Sequence, residues 1–392
     1  MPDPGRPGGA TRASSHASLA EREIIDRIRT KGRITFAEFM ETALYWPDGG
    51  YYTGPSGVWG GNGDYVTNLD MGPVFSKLIA RQVHEMWTCL GSAPGFELIE
   101  AGAGRGWLSK GILSAIDVMF PDLGRAIKVR LVERNANLRQ AAAGRVSWHA
   151  DIKDLDKGVK GCVLSNELID SFPVHRVVRD ASGLKEVYIG FDGSGFVDIV
   201  AEPSTPALAG YFRDLNVELA AGQRAEVNLK ALEWIAGASS LLDAGFVMTI
   251  DYGWPARDLY APERMRGTLR CHFRHTVGDN PYVNIGSQDI TAHIDFTALA
   301  RAGAKAGLDV TGFTTQKNFL IGAGIIEELE DMTGPGPANP EKLRHNQFIK
   351  GLIMPGGMGD DFKVLIQHKG AAAPRLSGFS FKEMSPYLHH RA

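Results

Sequence analysis

Apolar residues recur at helical spacing near the start of this chain, switch to strand spacing, and then alternate between the two. Leu19, Ile24, Ile25 and Ile28 fall roughly on one face of a helix that Ser18 can cap. Thr35 and Glu38 have capping-box spacing ahead of a second short helix ending near Leu44. Residues 46–63 hold seven glycines and the run Trp46-Pro47-Asp48-Gly49-Gly50-Tyr51-Tyr52, which reads as a loop or short hairpin. A long helix is predicted over roughly 72–90.

From residue 96 strands and helices alternate. Strands are predicted at 96–100, 127–133, 146–150 and 162–166, with helices at 107–119 and 134–143. Such alternation predicts a mostly parallel sheet with helices on both faces. Between 174 and 200 three alternating strands (174–179, 185–191, 195–200) with Gly-rich turns predict an antiparallel insertion. A helix at 228–243 and a strand at 245–251 resume the α/β pattern. Residues 252–290 read as a long irregular stretch, of the kind that is usually functional or disordered. A helix near 295–306 and strands near 309 and 363 close the fold. The expected organisation is a disordered leader (1–17), a helical and loop region over the cleft (18–92), the core (93–369) and a loose tail (370–392).

Composition narrows the function classes. With 44% hydrophobic and 22% charged residues this is an ordinary globular chain. A net charge of −3 argues against a nucleic-acid surface. Cys89, Cys162 and Cys271 lack Cys-x-x-Cys spacing, so buried thiols in a reducing compartment are expected, with neither zinc nor disulfides. No run of 18 apolar residues exists, so no membrane span is expected. The first 17 residues are rich in Pro, Gly, Ser and Ala and carry two arginines, but they lack the apolar face of a transit helix. Bacterial cytoplasm is the expected location, with the mitochondrial matrix as the alternative.

The sharpest local signal is Leu98-Ile99-Glu100-Ala101-Gly102-Ala103-Gly104-Arg105-Gly106, which follows a strand and opens a helix. Ligands bind beyond the carboxyl ends of strands in open parallel sheets, and glycines there permit close approach. Glu133 ends the next strand, where a carboxylate can accept bonds from ribose hydroxyls. Dinucleotide binders want a third glycine where Trp107 stands, and an acid about 20 residues on; Glu133 comes later. Glu100, ahead of the glycines, would repel a pyrophosphate but suits a ligand carrying an ammonium and a sulfonium. S-adenosylmethionine fits that description. Asp151, ending the third strand, reads equally as an adenine contact or as the N-cap of a short turn.

On the acceptor side, Asn166-Glu167-Leu168-Ile169-Asp170 follows the fourth strand, with Asn166 assigned to the cofactor. Glu167 and Asp170, three apart, would present two acids on one face of a helical turn. Asp251-Tyr252-Gly253 should open toward the same cleft, and His272, Arg274 and His275 could form a lid. Glu167, Asp170 and Asp251 are the candidate catalytic acids. Such carboxylates suit a nitrogen acceptor, whose N–H they can orient.

Taken together these motifs resemble the MidA family of class I methyltransferases over roughly residues 20–368. The resemblance rests on Tyr51-Tyr52, Gly63-Asp64-Tyr65-Val66-Thr67, Glu100 to Gly106, Asn166 to Val174, Asp251-Tyr252-Gly253, Gly267-Thr268-Leu269-Arg270, His275 and Asp289 to Phe296. The chain departs from the family pattern at Asn68-Leu69-Asp70 and at Ile285-Gly286-Ser287-Gln288. The resemblance implies a seven-stranded, Rossmann-like sheet and a segment around Asp64 and Thr67 that closes over the cofactor. It also implies symmetric dimethylation of a protein arginine, in a respiratory complex I subunit for the mitochondrial members. Tyr252, His275 and His293 are then the candidate acceptor-binding residues. Two alternatives stay open: a small-molecule methyltransferase, and an assembly protein with a vestigial cofactor site.

Overall fold

The computed structural model describes residues 17–54, 72–141, 143–331, 339–354, 356 and 358–389. Asp64, Thr67 and all but the last residue of the expected leader lie outside the described residues.

Seven strands form the continuous path of the central sheet: β1 (Glu97–Ala101), β2 (Lys128–Val132), β3 (Val146–His149), β4 (Val159–Asn166), β5 (Leu242–Trp254), β6 (Asp309–Thr315) and β7 (Phe362–Lys369), and a short eighth strand, Ile294–Asp295, pairs in parallel with the end of β5. Their spatial order is β6-β7-β5-β4-β1-β2-β3. The β1–β2, β1–β4, β2–β3 and β4–β5 pairs are parallel, and β7 runs antiparallel between β5 and β6. Strand order reverses beside β1, the position at which open α/β sheets bind ligands.

Both faces of the sheet are covered, as near-continuous apolar strands require. One face packs against the helices Gly72–Cys89 and Trp107–Met119 through Phe75, Leu78, Ile112 and Ile116. The other packs against Leu229–Leu241 and Phe296–Lys305 through Ile235, Ala238, Phe296 and Leu299. A separate antiparallel sheet holds strands His175–Asp180, Gly183–Phe191 and Phe196–Ala201, joined by Arg224–Val227 and Ile34–Thr35. The N-terminal helices Leu19–Lys31 and Phe36–Tyr45 bury Ile24, Ile28, Phe39 and Leu44 against it. Ser18 caps the first of these helices, and a full Thr35–Glu38 capping box starts the second.

Four expectations need correction. The described residues of 134–143 form no helix, because Asn135 donates its N–H to Glu133 and accepts one from Asn137, an Asx-type alternative to helical bonding. The stretch 252–290 is largely organised. It holds the end of β5, a helical turn Ala256–Leu259, and a small sheet of Arg270–Phe273, Thr276–Gly278 and Asp289–Thr291. The segment after 370 packs back on the core: Leu376 and Leu388 are buried, and Ser377 N–H bonds Glu85. Cys162 and Cys271 are buried, but Cys89, ending its helix, is exposed.

Candidate functional site

Beyond the carboxyl ends of β1, β2 and β4 lies a cavity of about 500 Å³. Its floor is the glycine turn. Gly102 and Ala103 both donate N–H bonds to the Val132 carbonyl, at 2.9 and 3.0 Å, which ties the turn to the end of β2. Gly102 has φ of +70°, and a Cβ there would stand 2.8 Å from Leu168 Cδ1. Gly106, at φ +71°, begins the helix Trp107–Met119, and a Cβ on it would strike Leu131. Both positions therefore disfavour a side chain on conformation, and a Cβ would also push a leucine methyl aside.

Glu133 lines this cavity. Its Oε2 accepts the Gly104 N–H at 2.9 Å and its Oε1 the Asn135 N–H at 2.7 Å. Burial pushes its carboxyl pKa up, against the pull of those two bonds.

Glu100 does not reach the cavity. Successive strand residues face opposite sides of a sheet, so Ala101 turns to the cavity and Glu100 turns away. Its Oε2 accepts the Ser109 N–H at 3.1 Å, in the first turn of the helix that the glycines open. Burial raises its pKa to about 7, opposed by the Ser109 bonds and reinforced by the charge of Glu133. Expected against the ligand's positive charge, Glu100 instead braces the turn that would hold the ligand. Asp151 caps the short turn Ile152–Asp154, accepting the Lys153 N–H at 3.0 Å, and also lines the cavity.

The acids after β4 do not share a helical face. Glu167 takes φ of +51°, and its N–H bonds the Ile250 carbonyl at 3.0 Å, so the chain bends sharply instead of entering a helix. Asn166 Nδ2 donates to Glu167 Oε1 at 3.2 Å. Asp251 is fully buried. Its Oδ2 accepts the N–H groups of Leu168, Ile169 and Asp170 at 3.2, 2.9 and 3.4 Å, and its Oδ1 that of Tyr252 at 2.9 Å. Burial lifts its pKa to about 7 against those four donors. Asp170 is raised well above the usual range, first by burial, then by the charges of Asp251, Asp289 and Glu167. The three acids are close together, but of them only Glu167 lines the cavity.

The region 18–92 is expected over the cleft, and its Tyr45 and Tyr52, not among the expected site residues, form the cavity's roof. Tyr45 OH bonds the Ser171 carbonyl and hydroxyl at 3.1 and 2.8 Å, and Tyr52 OH donates to Asp289 Oδ1 at 2.8 Å. The two rings stack at 5.4 Å, and Asn135 Nδ2 donates to the Tyr52 carbonyl at 2.7 Å. At the rim, Glu41 pairs with Arg134 at 3.3 Å and with Lys230 at 2.8 Å. The aromatic run around Tyr45–Tyr52 was the available signal, but its partners lie up to 237 residues away.

Tyr252, His275 and His293 do not line this cavity. His275 is exposed in the turn between two short strands, at φ +62°. His293 lies parallel to Tyr252 at 6.4 Å, and Tyr252 packs on Phe362 at 3.8 Å. Burial, then Arg264, Arg270 and Lys363, lower the His293 pKa to about 4. Among the described residues, no cluster of His, Cys, Asp and Glu could hold a metal, and no helix is long and apolar enough to cross a membrane.

Residues 78–314 match the family model for S-adenosyl-L-methionine-dependent methyltransferases. The mitochondrial protein arginine methyltransferase NDUFAF7 of Mus musculus is 28% identical, across 91% of this chain and 85% of its own. The Drosophila melanogaster homolog is 26% identical, across 95% and 90%. Among solved structures, a protein from Burkholderia thailandensis bound to S-adenosyl-homocysteine is 30% identical, with a TM-score of 0.82 over 94% of this chain and 96% of that one. With a glycine turn at the strand-order reversal, an acid ending β2 and these matches, the chain belongs to the MidA-like family of S-adenosyl-L-methionine-dependent methyltransferases.

Proposed function

We propose that the chain transfers a methyl group to an arginine side chain of a polypeptide. The observation that carries this reading is Glu167. It lines the cavity from a left-handed bend at the end of β4, with one carboxylate oxygen engaged by Asn166. A guanidinium offers a fork of N–H donors and stays charged, so a carboxylate both attracts and aligns it. The NDUFAF7 relatives are named protein arginine methyltransferases, which supports the same acceptor.

The cavity suits S-adenosylmethionine. The Gly102 and Gly104 backbone would pass close to the ligand, and Glu133 would accept the ribose hydroxyls. Asp151, with the apolar Ile152 and Leu155 beside it, would take the adenine. The cofactor supplies a sulfonium-bound methyl group. Methyl transfer needs the nucleophile about 3–3.5 Å away and in line, and Glu167 would hold the arginine nitrogen there by accepting one of its N–H bonds. Asp251, satisfied by four backbone donors, positions the turn instead of touching substrate. Asp64 and Thr67 stay assigned to cofactor closure by family position. A complex I subunit is the acceptor that the family resemblance implies.

The test incubates the protein with methyl-labelled cofactor and an extract of cells lacking it, followed by mass spectrometry. Label on protein arginine is expected, and E167Q should bind S-adenosylhomocysteine yet transfer little. Label confined to a metabolite would overturn the reading.

A further inference from the structure

Glu133 and Glu167 line one cavity from the ends of β2 and β4, which lie two strand spacings apart, roughly 10 Å, on either side of β1. Between them runs the turn after β1, where Gly102 and Gly104 have no side chain to span the gap. Both acids follow the last residue of their strands, so the sheet alone does not fix where their carboxylates sit.

A brace crosses the gap from above. On the cofactor side, Asn135 donates its N–H to Glu133 Oε1 and its Nδ2 to the Tyr52 carbonyl, both at 2.7 Å. The Tyr52 ring stacks on Tyr45 at 5.4 Å. On the acceptor side, the Ser171 hydroxyl donates to the carbonyl of Leu168, the residue after Glu167, at 2.9 Å. Tyr45 is then the donor to Ser171, at 2.8 Å to its hydroxyl and 3.1 Å to its carbonyl. Tyr52 supplies a second foot. Its hydroxyl donates to Asp289 Oδ1 at 2.8 Å, and three residues further on the Ala292 N–H donates to the Asp170 carbonyl at 2.9 Å.

The two rings are held together by their backbone as well. Tyr52 N–H donates to the Leu44 carbonyl at 2.9 Å, which folds the loop back on the helix that ends at Tyr45. That fold needs Gly50, where a Cβ would stand 2.5 Å from the Trp46 nitrogen. Asn135, Ser171 and Asp289 are buried, so water competes little for these bonds.

We propose that Tyr45 and Tyr52 are positioning residues for methyl transfer, an arch of two rings that sets Glu167 on the acceptor side against Glu133 on the cofactor side. This rests on the reading above that Glu167 aligns the acceptor nitrogen. In-line displacement tolerates little error, and a misplacement of about 1 Å can cost on the order of 100-fold in rate. Both hydroxyls are engaged by the acceptor-side segments, so the arch acts through Glu167 and not by touching substrate.

The experiment measures label transfer from saturating S-adenosylmethionine to increasing amounts of an extract of cells lacking the protein. Calorimetry with S-adenosylhomocysteine and urea unfolding accompany it. Y45F and Y52F keep both rings and lose one foot each. Each should lower the saturated rate roughly fivefold, with the half-saturating extract and the S-adenosylhomocysteine affinity within about twofold of the parent. The double variant should fall by at least about 100-fold, more than the product of the two, because either foot alone still holds the acid turn. S171A cuts the link to Leu168 with both tyrosines intact, and should reproduce most of the Y45F loss. An unchanged rate in the double variant, losses that only multiply, or a fall in rate matched by falls in affinity and urea midpoint would each overturn the arch. Loss of transfer in E167Q with both tyrosine variants unaffected would leave Glu167 in place and remove the arch alone. Full transfer by E167Q would remove both. Label confined to a metabolite, with the variants in the expected order, would leave the arch standing and remove the polypeptide acceptor.

Discussion

Asp251 accepts the backbone N–H of Ile169 at 2.9 Å, and through this bond the end of β5 sets the course of the chain leaving β4. Three consecutive amides, Leu168 to Asp170, converge on one carboxylate oxygen, so the bend that presents Glu167 is held from behind. Removing the carboxylate strands buried donors, each worth roughly 1–3 kcal/mol when left unsatisfied. D251A should therefore lose about 2–4 kcal/mol of stability in urea unfolding, and methyl transfer should fall further than D251N, which keeps one acceptor oxygen. An unchanged urea midpoint for D251A would show that the turn does not depend on it.

Glu133 has both carboxylate oxygens engaged by backbone amides while lining the cavity. A carboxylate oxygen has more than one lone pair, so ribose hydroxyls can be accepted alongside these bonds. E133A should weaken S-adenosylhomocysteine binding by roughly 10- to 100-fold, about 1.5–3 kcal/mol, measured by calorimetry. E133Q should fall between that variant and the parent. Unaltered affinity in E133A would place the ribose elsewhere.

The central sheet was legible because its signals are local. Each buried strand is a short apolar run, and each helix between them has a one-sided apolar face. The glycine turn was legible for the same reason, since the backbone angles at Gly102 and Gly106 leave a mark in the residues themselves. The orientation of Glu100 was hidden. Its direction depends on the pleat at the end of β1, and a shift of one residue exchanges cavity for core. The acid turn misled for a related reason: spacing of three suggested a helix, whereas Asp251, 81 to 83 residues away, draws its amides into a bend. Tyr52 and Asp289 meet across 237 residues, and no local pattern announces such a contact.

Gly102 tests how tightly the two sides of the cleft are coupled. Alanine there must adopt φ near +70° and put its methyl 2.8 Å from Leu168 Cδ1, on the residue that follows Glu167. The left-handed conformation alone disfavours alanine by roughly 1–2 kcal/mol. G102A should therefore bind S-adenosylhomocysteine at least tenfold more weakly. Adding L168A should restore part of that loss, because it relieves the contact but not the backbone strain. If L168A restores nothing, the clash is not what limits binding in G102A.

Glu100 gives the protein a stability that depends on pH in a defined direction. Its carboxyl ionises about 7 in the folded chain, against 4.5 for an ordinary glutamate, because burial penalises the charge more than the Ser109 N–H rewards it. Between those two values the folded state keeps a proton that the unfolded state has released. Stability from this group is therefore greatest at low pH, declines as pH rises through the window, and levels off above about 7. The decline amounts to at most about 3 kcal/mol at 1.36 kcal/mol per unit. Asp251 and Asp295 are raised in the same sense, to about 7 and about 6, so the parent alone cannot isolate Glu100. E100Q can, because glutamine still offers an oxygen to Ser109 and carries no titratable proton. Urea unfolding of both proteins at pH 5 and pH 8 should show the parent losing stability relative to E100Q as pH rises. Parallel behaviour of the two would mean that Glu100 is solvated in the folded chain and that the brace beneath the glycine turn is made by something else.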